Sequence, residues 1–265
     1  MTPSECKQCL SRLHCVVIIP TYNNGGTITD VVSDVLRYCE DVIVIDDGST
    51  DETSCLLRNY KNIVIIRHKK NLGKGAAILS GFEAASKYRF RTKHLGYNAH
   101  YAITIDADGQ HDAADIISFA EEIQKHPNCL LIGIRSPERT CGIIPSGNKF
   151  ANDFSNFWFV VATGCRLKDT QSGFRLYPLS KIRILNLATA GYEFEVEIIV
   201  KSAWNHIEIR SVPIHVNYPP NRVSHFNPYR DFLRISRLNT RLVLRGLLWE
   251  IPWNFVRSLM SFNAK

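Results

Sequence analysis

The chain has 265 residues, 45% hydrophobic and 22% charged, a balance that suits a globular protein with a sizeable core and excludes a disordered or fibrous chain. The formal net charge is +7, which favours anionic partners such as phosphates, lipid headgroups or nucleic acid. No stretch reaches the roughly 18 uninterrupted apolar residues of a membrane span, and the N-terminus lacks the apolar run of a secretory signal. These features predict a cytoplasmic protein, free or peripheral to a membrane.

Residues 1–14 read as an N-terminal extension. Cys6-x-x-Cys9, followed by His14 and Cys15, is half of a zinc motif, and no second CxxC completes it. Without a secretory signal the eight cysteines read as free thiols. "CVVIIP" (15–20) is a buried strand, and "TITDVVSDVLRYCE" is a helix that Thr27 can cap. "DVIVID" is a second strand, closed by the turn residues "DGSTD". A helix over 51–60, a strand "NIVIIRH" and a helix "GKGAAILSGFEAASKY" come next. A strand "YAITIDAD", a helix "DAADIISFAEEIQKH" capped by Asp112 and a strand "CLLIGIR" complete the series. This alternation over 15–135 predicts an α/β fold: a mostly parallel sheet with helices on both faces.

After residue 140 the pattern changes. "NKFANDFSNFWFVVAT" is an aromatic-rich helix, "DTQSGFRLYP" a turn and short strand, and "YEFEVEIIVKSAWN" a helix. "IEIRSVPIHVNY" predicts two short strands around Pro213, and a long helix starts at Pro228. The chain divides into 1–14, an α/β domain over 15–220 and a tail over 221–265.

Ligands of such sheets bind at the carboxyl ends of the strands. There the polar segments "PTYNN", "DDGSTD", "HKKNLGKG" and "DADGQH" converge. Asp106 and Asp108 can share a cation, and an oxygen set completed by Gln110 suits Mg²⁺ or Mn²⁺ bridged to a phosphate. Asp46 and Asp47 can accept hydrogen bonds from a base edge or a ribose. In "NLGKGAA", Lys74 and the backbone at a helix start can approach an anion; a solvated lysine beside a turn explains that segment equally well.

The set "VVIIPTYNN", "VIVIDDGSTDET", "NLGKGAAILSGF", "ITIDADGQHDA" and "DTQSGFRLYP", in this order, resembles glycosyltransferase family 2. It is most similar to the polyprenyl- and dolichyl-phosphate mannose or glucose synthases of that family. The resemblance covers roughly residues 15–220. It implies a GT-A fold with a DXD-type metal site, a nucleotide-sugar donor, a polyprenyl phosphate acceptor and inversion at the anomeric carbon. By motif, Pro20, Thr21 and Tyr22 would line the nucleoside pocket, with Asp46 and Asp47 at the base. Asp106, Asp108 and Gln110 would hold the metal. Arg135 would contact phosphate, and Gln171, Ser172 and Arg175 would face the acceptor, followed by the helix carrying Glu193, Glu195 and Glu197. Arg222 and Ser224 fit a basic acceptor-side motif in which His225 replaces the usual lysine, and Lys149 is a further basic candidate. The absence of a QxxRW motif disfavours a processive activity. A hydroxyl acceptor, as in cell-envelope glycan or glycolipid synthesis, would instead require a base, with Glu193 or Glu195 as candidates.

In the tail, Arg230, Arg234, Arg237, Arg241 and Arg245 form one helical stripe about 80° wide. Leucines and aromatics cover much of the remaining surface, and Trp249 and Trp253 flank Pro252. This pattern suits an anionic membrane surface. A helix packed on the body with its arginines in salt bridges is the alternative. A nucleotide- or nucleic-acid-binding protein is the non-enzymatic rival. The intact DAD argues against it, so no nucleic acid is expected.

Overall fold

The computed structural model describes residues 1–87, 98–141, 146–218 and 228–250. In chain order the elements begin with α1 (Pro3–Arg12), β1 (Cys15–Thr21), α2 (Ile28–Val35), β2 (Val42–Asp46), α3 (Thr53–Leu57) and β3 (Val64–Arg67). Next come α4 (Lys74–Lys87), β4 (Tyr101–Thr104), a 3₁₀ turn (Ala113–Asp115), α5 (Ile116–Lys125) and β5 (Leu130–Cys141). The remainder is α6 (Ser146–Thr163), β6 (Arg175–Pro178), α7 (Leu179–Ile182), α8 (Phe194–Trp204), β7 (Ile209–Asn217) and α9 (Pro228–Arg245), ending in a π-helical turn (Gly246–Glu250).

The strands form a seven-stranded sheet in the order β3-β2-β1-β4-β6-β5-β7. Pairings are parallel except those of β6, which runs antiparallel between β4 and β5. β1 and β2 are buried along their whole length, as continuous apolar runs in a sheet covered on both faces must be. Their side chains alternate between two cores. Cys15, Val17 and Ile19 join Val42 and Val44 on the face covered by α1, α2 and α5. Val16, Ile18, Ile43 and Ile45 pack beneath α4, α6 and α8. Burying each such side chain contributes about 1.5–3 kcal/mol.

Small residues let α4 approach closely. A Cβ on Gly81 would stand 2.6 Å from Ile18 Cγ2, and one on Gly75 would stand 2.5 Å from Phe194 Cβ. The "GKGAAILSGF" composition therefore serves packing as well as the loop.

Three expectations change. The N-terminal extension contains a helix, started by a Thr2–Glu5 capping box with Pro3 in the first turn, and it buries Cys6, Cys9 and Leu10. Burial pushes the Cys6 thiol up to about 12, as expected of a neutral core group. Thr27 holds the N-cap position of α2 but makes no side-chain cap bond; its hydroxyl donates to the Ala107 carbonyl at 2.6 Å. Residues 209–217 form one strand through Pro213, because β7 lies at the sheet edge, where a missing N–H costs no ladder bond.

α9 packs against α6 and α8, burying Asn239 and Leu242, with Leu238 and Val243 against the core. Arg234, Arg237, Arg241 and Arg245 are exposed, as are Leu233, Leu244, Leu247, Leu248 and Trp249. Arg245 pairs with Glu250 at 2.8 Å and lies over the Trp204 ring. The Arg230 side chain, Pro252 and Trp253 lie outside the described residues. Among the described residues no helix is long and apolar enough to cross a membrane.

Candidate active site

The loops after β1 and β2 are stapled together. Asn23 N–H donates to Ser49 Oγ (3.0 Å), Asn24 N–H to Thr53 Oγ1 (2.9 Å) and Gly25 N–H to Asp51 Oδ2 (3.0 Å). In return, Thr50 N–H donates to Asn23 Oδ1 (2.8 Å). Pro20 and Thr21 are buried at the end of β1, and Tyr22 is half-buried beside them. The expected nucleoside wall is thus a cross-linked backbone.

Asp46 and Asp47 are both buried and point to opposite sides of β2. Asp46 accepts from Ser49 N–H (2.8 Å) and the Ser54 hydroxyl, and Arg67 pairs with it at 3.4 Å. Asp47 accepts from Leu72 N–H (2.9 Å) and Gly73 N–H (2.8 Å) and contacts His68 Nδ1 at 2.6 Å. His68 Nε2 in turn meets Ser80 Oγ at 2.9 Å. Every partner described for this pair is internal. The two carboxylates organise the loops, and a base would meet only the lone pairs left over.

β4 ends at Thr104, so Asp106 and Asp108 sit in the turn beyond it. Lys74, the first residue of α4, places its ammonium 2.7 Å from Asp106 Oδ1 and 2.7 Å from Glu195 Oε1 of α8. Burial disfavours the ammonium, but the two carboxylates hold its pKa above the usual lysine value. Burial also acts to raise Asp106, yet Lys74, with His111 and Arg175, holds it below the usual range. Asp108 moves the other way, pushed up by burial and by the Asp106 charge. His111 Nε2 lies 3.9 Å from Asp106 Oδ2, and burial pushes the imidazole down. Asp112 caps the following turn through Ala114 N–H at 2.8 Å, as expected.

The donor chemistry suits a hard divalent cation. Two carboxylates stand beside a buried Gln110 amide whose nitrogen has no partner, and the buried His111 Nδ1 has none either. The unpartnered Gln110 nitrogen is a hydrogen-bond donor and suits an anion, so a cation would be met by the carboxylates and the amide oxygen.

The "QSGF" segment packs directly on this cluster. Thr104 Oγ1 donates to the Gly173 carbonyl at 2.7 Å. A Cβ on Gly173 would stand 2.5 Å from Asp106 Oδ2 and 2.7 Å from Lys74 Nζ, so a larger residue there would displace the ends of those two side chains. Ser172 is buried beside it, and Gln171 N–H donates to Asp169 Oδ1 at 3.1 Å.

Two arginines expected to touch substrate are committed elsewhere. Arg175 is 0% exposed and donates to three carbonyls, those of Ser172 (2.6 Å), Glu195 (2.8 Å) and Thr170 (2.9 Å). It ties the segment to α8 from inside the core rather than facing an acceptor. Arg135 makes a forked pair with Asp169, Nε to Oδ2 at 2.6 Å and Nη2 to Oδ1 at 2.9 Å. Asp169 and His111 are additions that sequence reasoning missed. Their signals were an acid close before "QSG" and the histidine next to Gln110.

Glu193 and Glu195 lie at the start of α8, with Glu193 Oε2 buried and unpartnered. Glu197 turns away, accepting from Ala188 N–H, Thr189 N–H, the Thr189 hydroxyl and Lys201. Arg222, Ser224 and His225 lie outside the described residues, as does the Lys149 side chain.

A mostly parallel sheet whose strand ends gather stapled loops and an acidic, lysine-bridged cluster places a ligand site at the carboxyl ends of its strands. Residues 16–173 match glycosyl transferase family 2, and the chain belongs to that family. Among its relatives is UDP-N-acetylglucosamine–dolichyl-phosphate N-acetylglucosaminyltransferase of Methanococcus voltae, 29% identical over 76% of this chain and 85% of that protein. Dolichyl-phosphate beta-glucosyltransferase of Dictyostelium discoideum is 26% identical over 93% and 80% respectively. Polyprenol monophosphomannose synthase of Mycolicibacterium smegmatis is 27% identical over 75% and 76%. The fold is that of glucosyl-3-phosphoglycerate synthase from Mycobacterium tuberculosis, with a TM-score of 0.68 and 16% identity, over 93% of this chain and 84% of that one. A structure of the same enzyme with Mn²⁺, UDP and phosphoglyceric acid matches at a TM-score of 0.66 and 17% identity, over 94% and 82%.

Proposed function

We propose that the protein transfers a sugar, of mannose or glucose type, from a nucleotide-diphosphate sugar to a polyprenyl phosphate, with inversion at the anomeric carbon. The observation that carries this reading is the packing of Gly173, in the acceptor-side segment, against Asp106 of the donor-side cluster. The relatives' names supply the acceptor class.

Asp106, Asp108 and Gln110 would hold Mg²⁺ or Mn²⁺, which when bound neutralises charge on the departing diphosphate. The stapled loops at Pro20, Thr21, Tyr22, Asp46 and Asp47 seat the nucleoside. Lys74 adds a fixed positive charge beside the leaving group. An acceptor phosphate is already ionised and needs no general base, and Lys149, Arg222, Ser224 and His225 supply its basic contacts. Arg135 and Arg175 act by holding the 169–175 segment in place.

α9 exposes Arg234, Arg237 and Arg241 together with Leu233 and Leu244, and the turn after it exposes Leu248 and Trp249. This composition supports docking on an anionic membrane surface, where the lipid acceptor resides. In vesicle sedimentation, R237E/R241E should release the protein from phosphatidylglycerol vesicles; equal binding by the variant removes the docking proposal.

The deciding assay offers GDP-mannose, UDP-glucose and UDP-N-acetylglucosamine with undecaprenyl or dolichyl phosphate and Mg²⁺ or Mn²⁺. Lipid-extractable label that requires metal and disappears in Asp108→Ala is the expected result. Nucleotide release without lipid label would shift the reading to a hydroxyl acceptor, for which the unpartnered Glu193 Oε2 offers a base.

A further inference from the structure

Asp106, the first carboxylate of the proposed metal site, already carries a cation. Lys74 Nζ lies 2.7 Å from its Oδ1, and the opposite oxygen faces His111 Nε2 at 3.9 Å. The ammonium has a second seat at Glu195 Oε1, also at 2.7 Å, and the Tyr192 ring lies 5.9 Å away. Gly173 closes the remaining side of the cluster, where even a methyl group would collide with Asp106 and Lys74. The lysine side chain is largely shielded from water, so its charge is weakly screened.

A divalent ion reaching Asp106 and Asp108 therefore meets a positive charge already bound to one of its ligands. The diphosphate of a donor adds negative charge to the same place and relieves that repulsion. We infer that Lys74 is a tethered counter-cation that keeps free divalent metal from binding stably, so that metal and nucleoside diphosphate enter together. Glu195 is the positioning residue that receives the ammonium when metal takes its share of Asp106. The lysine then stays beside the diphosphate instead of swinging into solvent. This inference rests on the glycosyltransfer reading and deepens it by assigning an order of loading to the donor site.

The test is Mn²⁺ binding to the full chain, followed by electron paramagnetic resonance, with and without UDP or GDP. Wild type should bind Mn²⁺ weakly alone and markedly more tightly with one of the nucleotides. K74Q should bind Mn²⁺ alone about tenfold more tightly and lose most of the nucleotide enhancement, because the competing charge is gone. K74R should resemble wild type. E195Q should weaken Mn²⁺ binding alone, since the ammonium then has Asp106 as its sole seat. General damage to the site would weaken both variants; opposite signs are the signature of competition. Thermal melts check that each variant folds, and if K74Q does not, E195Q decides, with unchanged or tighter Mn²⁺ binding overturning the inference. Equal or weaker Mn²⁺ binding by folded K74Q, with nucleotide-dependent binding retained, overturns it and leaves the glycosyltransfer reading intact. Equal Mn²⁺ binding by wild type and D108A in the presence of UDP and GDP overturns both the inference and the metal assignment.

Discussion

The strands on either side of β1 both end in a carboxylate pair, and the two pairs are treated differently. At the end of β2, Asp46 and Asp47 are engaged by N–H, hydroxyl, imidazole and guanidinium groups of neighbouring loops and of β3. Beyond β4, among the described residues, Asp106 meets Lys74 and a more distant His111, and Asp108 accepts one backbone N–H, next to two buried polar atoms without partners. The first pair spends its hydrogen-bonding capacity on the shape of the pocket. The second meets fewer partners among the described residues. Identical residue types thus differ in how far the donors the fold brings to them satisfy them.

That contrast can be broken by substitution. Asp108→Asn should show the largest effect, lowering kcat by roughly 10²–10³ or more while the melting temperature stays close to wild type. An equal loss of stability and activity would place Asp108 with the scaffold. Gly173→Ala comes next, since its Cβ must displace Asp106 or Lys74. Activity should fall by about 10²-fold, as expected for a misplacement of around 1 Å in a reacting constellation. Asp47→Asn should reverse the pattern, costing about 1–3 kcal/mol in denaturant unfolding as buried donors lose a charged acceptor. Its residual turnover at saturating donor should remain within reach of wild type.

A pH test sharpens the same distinction at a purely structural carboxylate. Burial acts to raise Glu197, but Lys201, Thr189 and Ala188 hold it below 4.5. Its stabilising contribution is present above the unfolded value of 4.5 and lost as pH falls through the lower folded value. Glu197→Gln should be less stable than wild type at pH 7 by about 1–2 kcal/mol, with the gap closing as pH falls below the unfolded value and through the lower folded one. A gap that persists into acid would assign the effect to packing. The smallest effect belongs to Thr27→Val, about 0.5–1.5 kcal/mol for one lost hydrogen bond to Ala107.

Much of this was legible in the sequence. Uninterrupted apolar runs such as "CVVIIP" and "VIVID" announce strands buried on both faces, and the alternation with amphipathic segments places helices on each side. The convergence of four polar loops follows from parallel strands alone. The partners of individual charges did not follow. Arg135 and Arg175 stand in motifs that suggest substrate contact, but the pairing of Arg135 with Asp169 and of Arg175 with the Glu195 carbonyl depends on distant segments meeting. α1 escaped notice because its buried side is small, two cysteines and a leucine, and Pro213 misled because only the sheet order shows β7 to be an edge.

The strand order has a consequence for how the protein is made. β6, four residues long, is the strand that joins the β3-β2-β1-β4 block to the β5-β7 pair. A chain leaving the ribosome N-terminus first presents the open edge of β4 until residue 178 has emerged. An exposed edge is a template for wrong partners. During synthesis the β4 edge therefore stays open to mispairing over more than seventy residues of further chain, from Thr104 to Arg175, until its own partner is made.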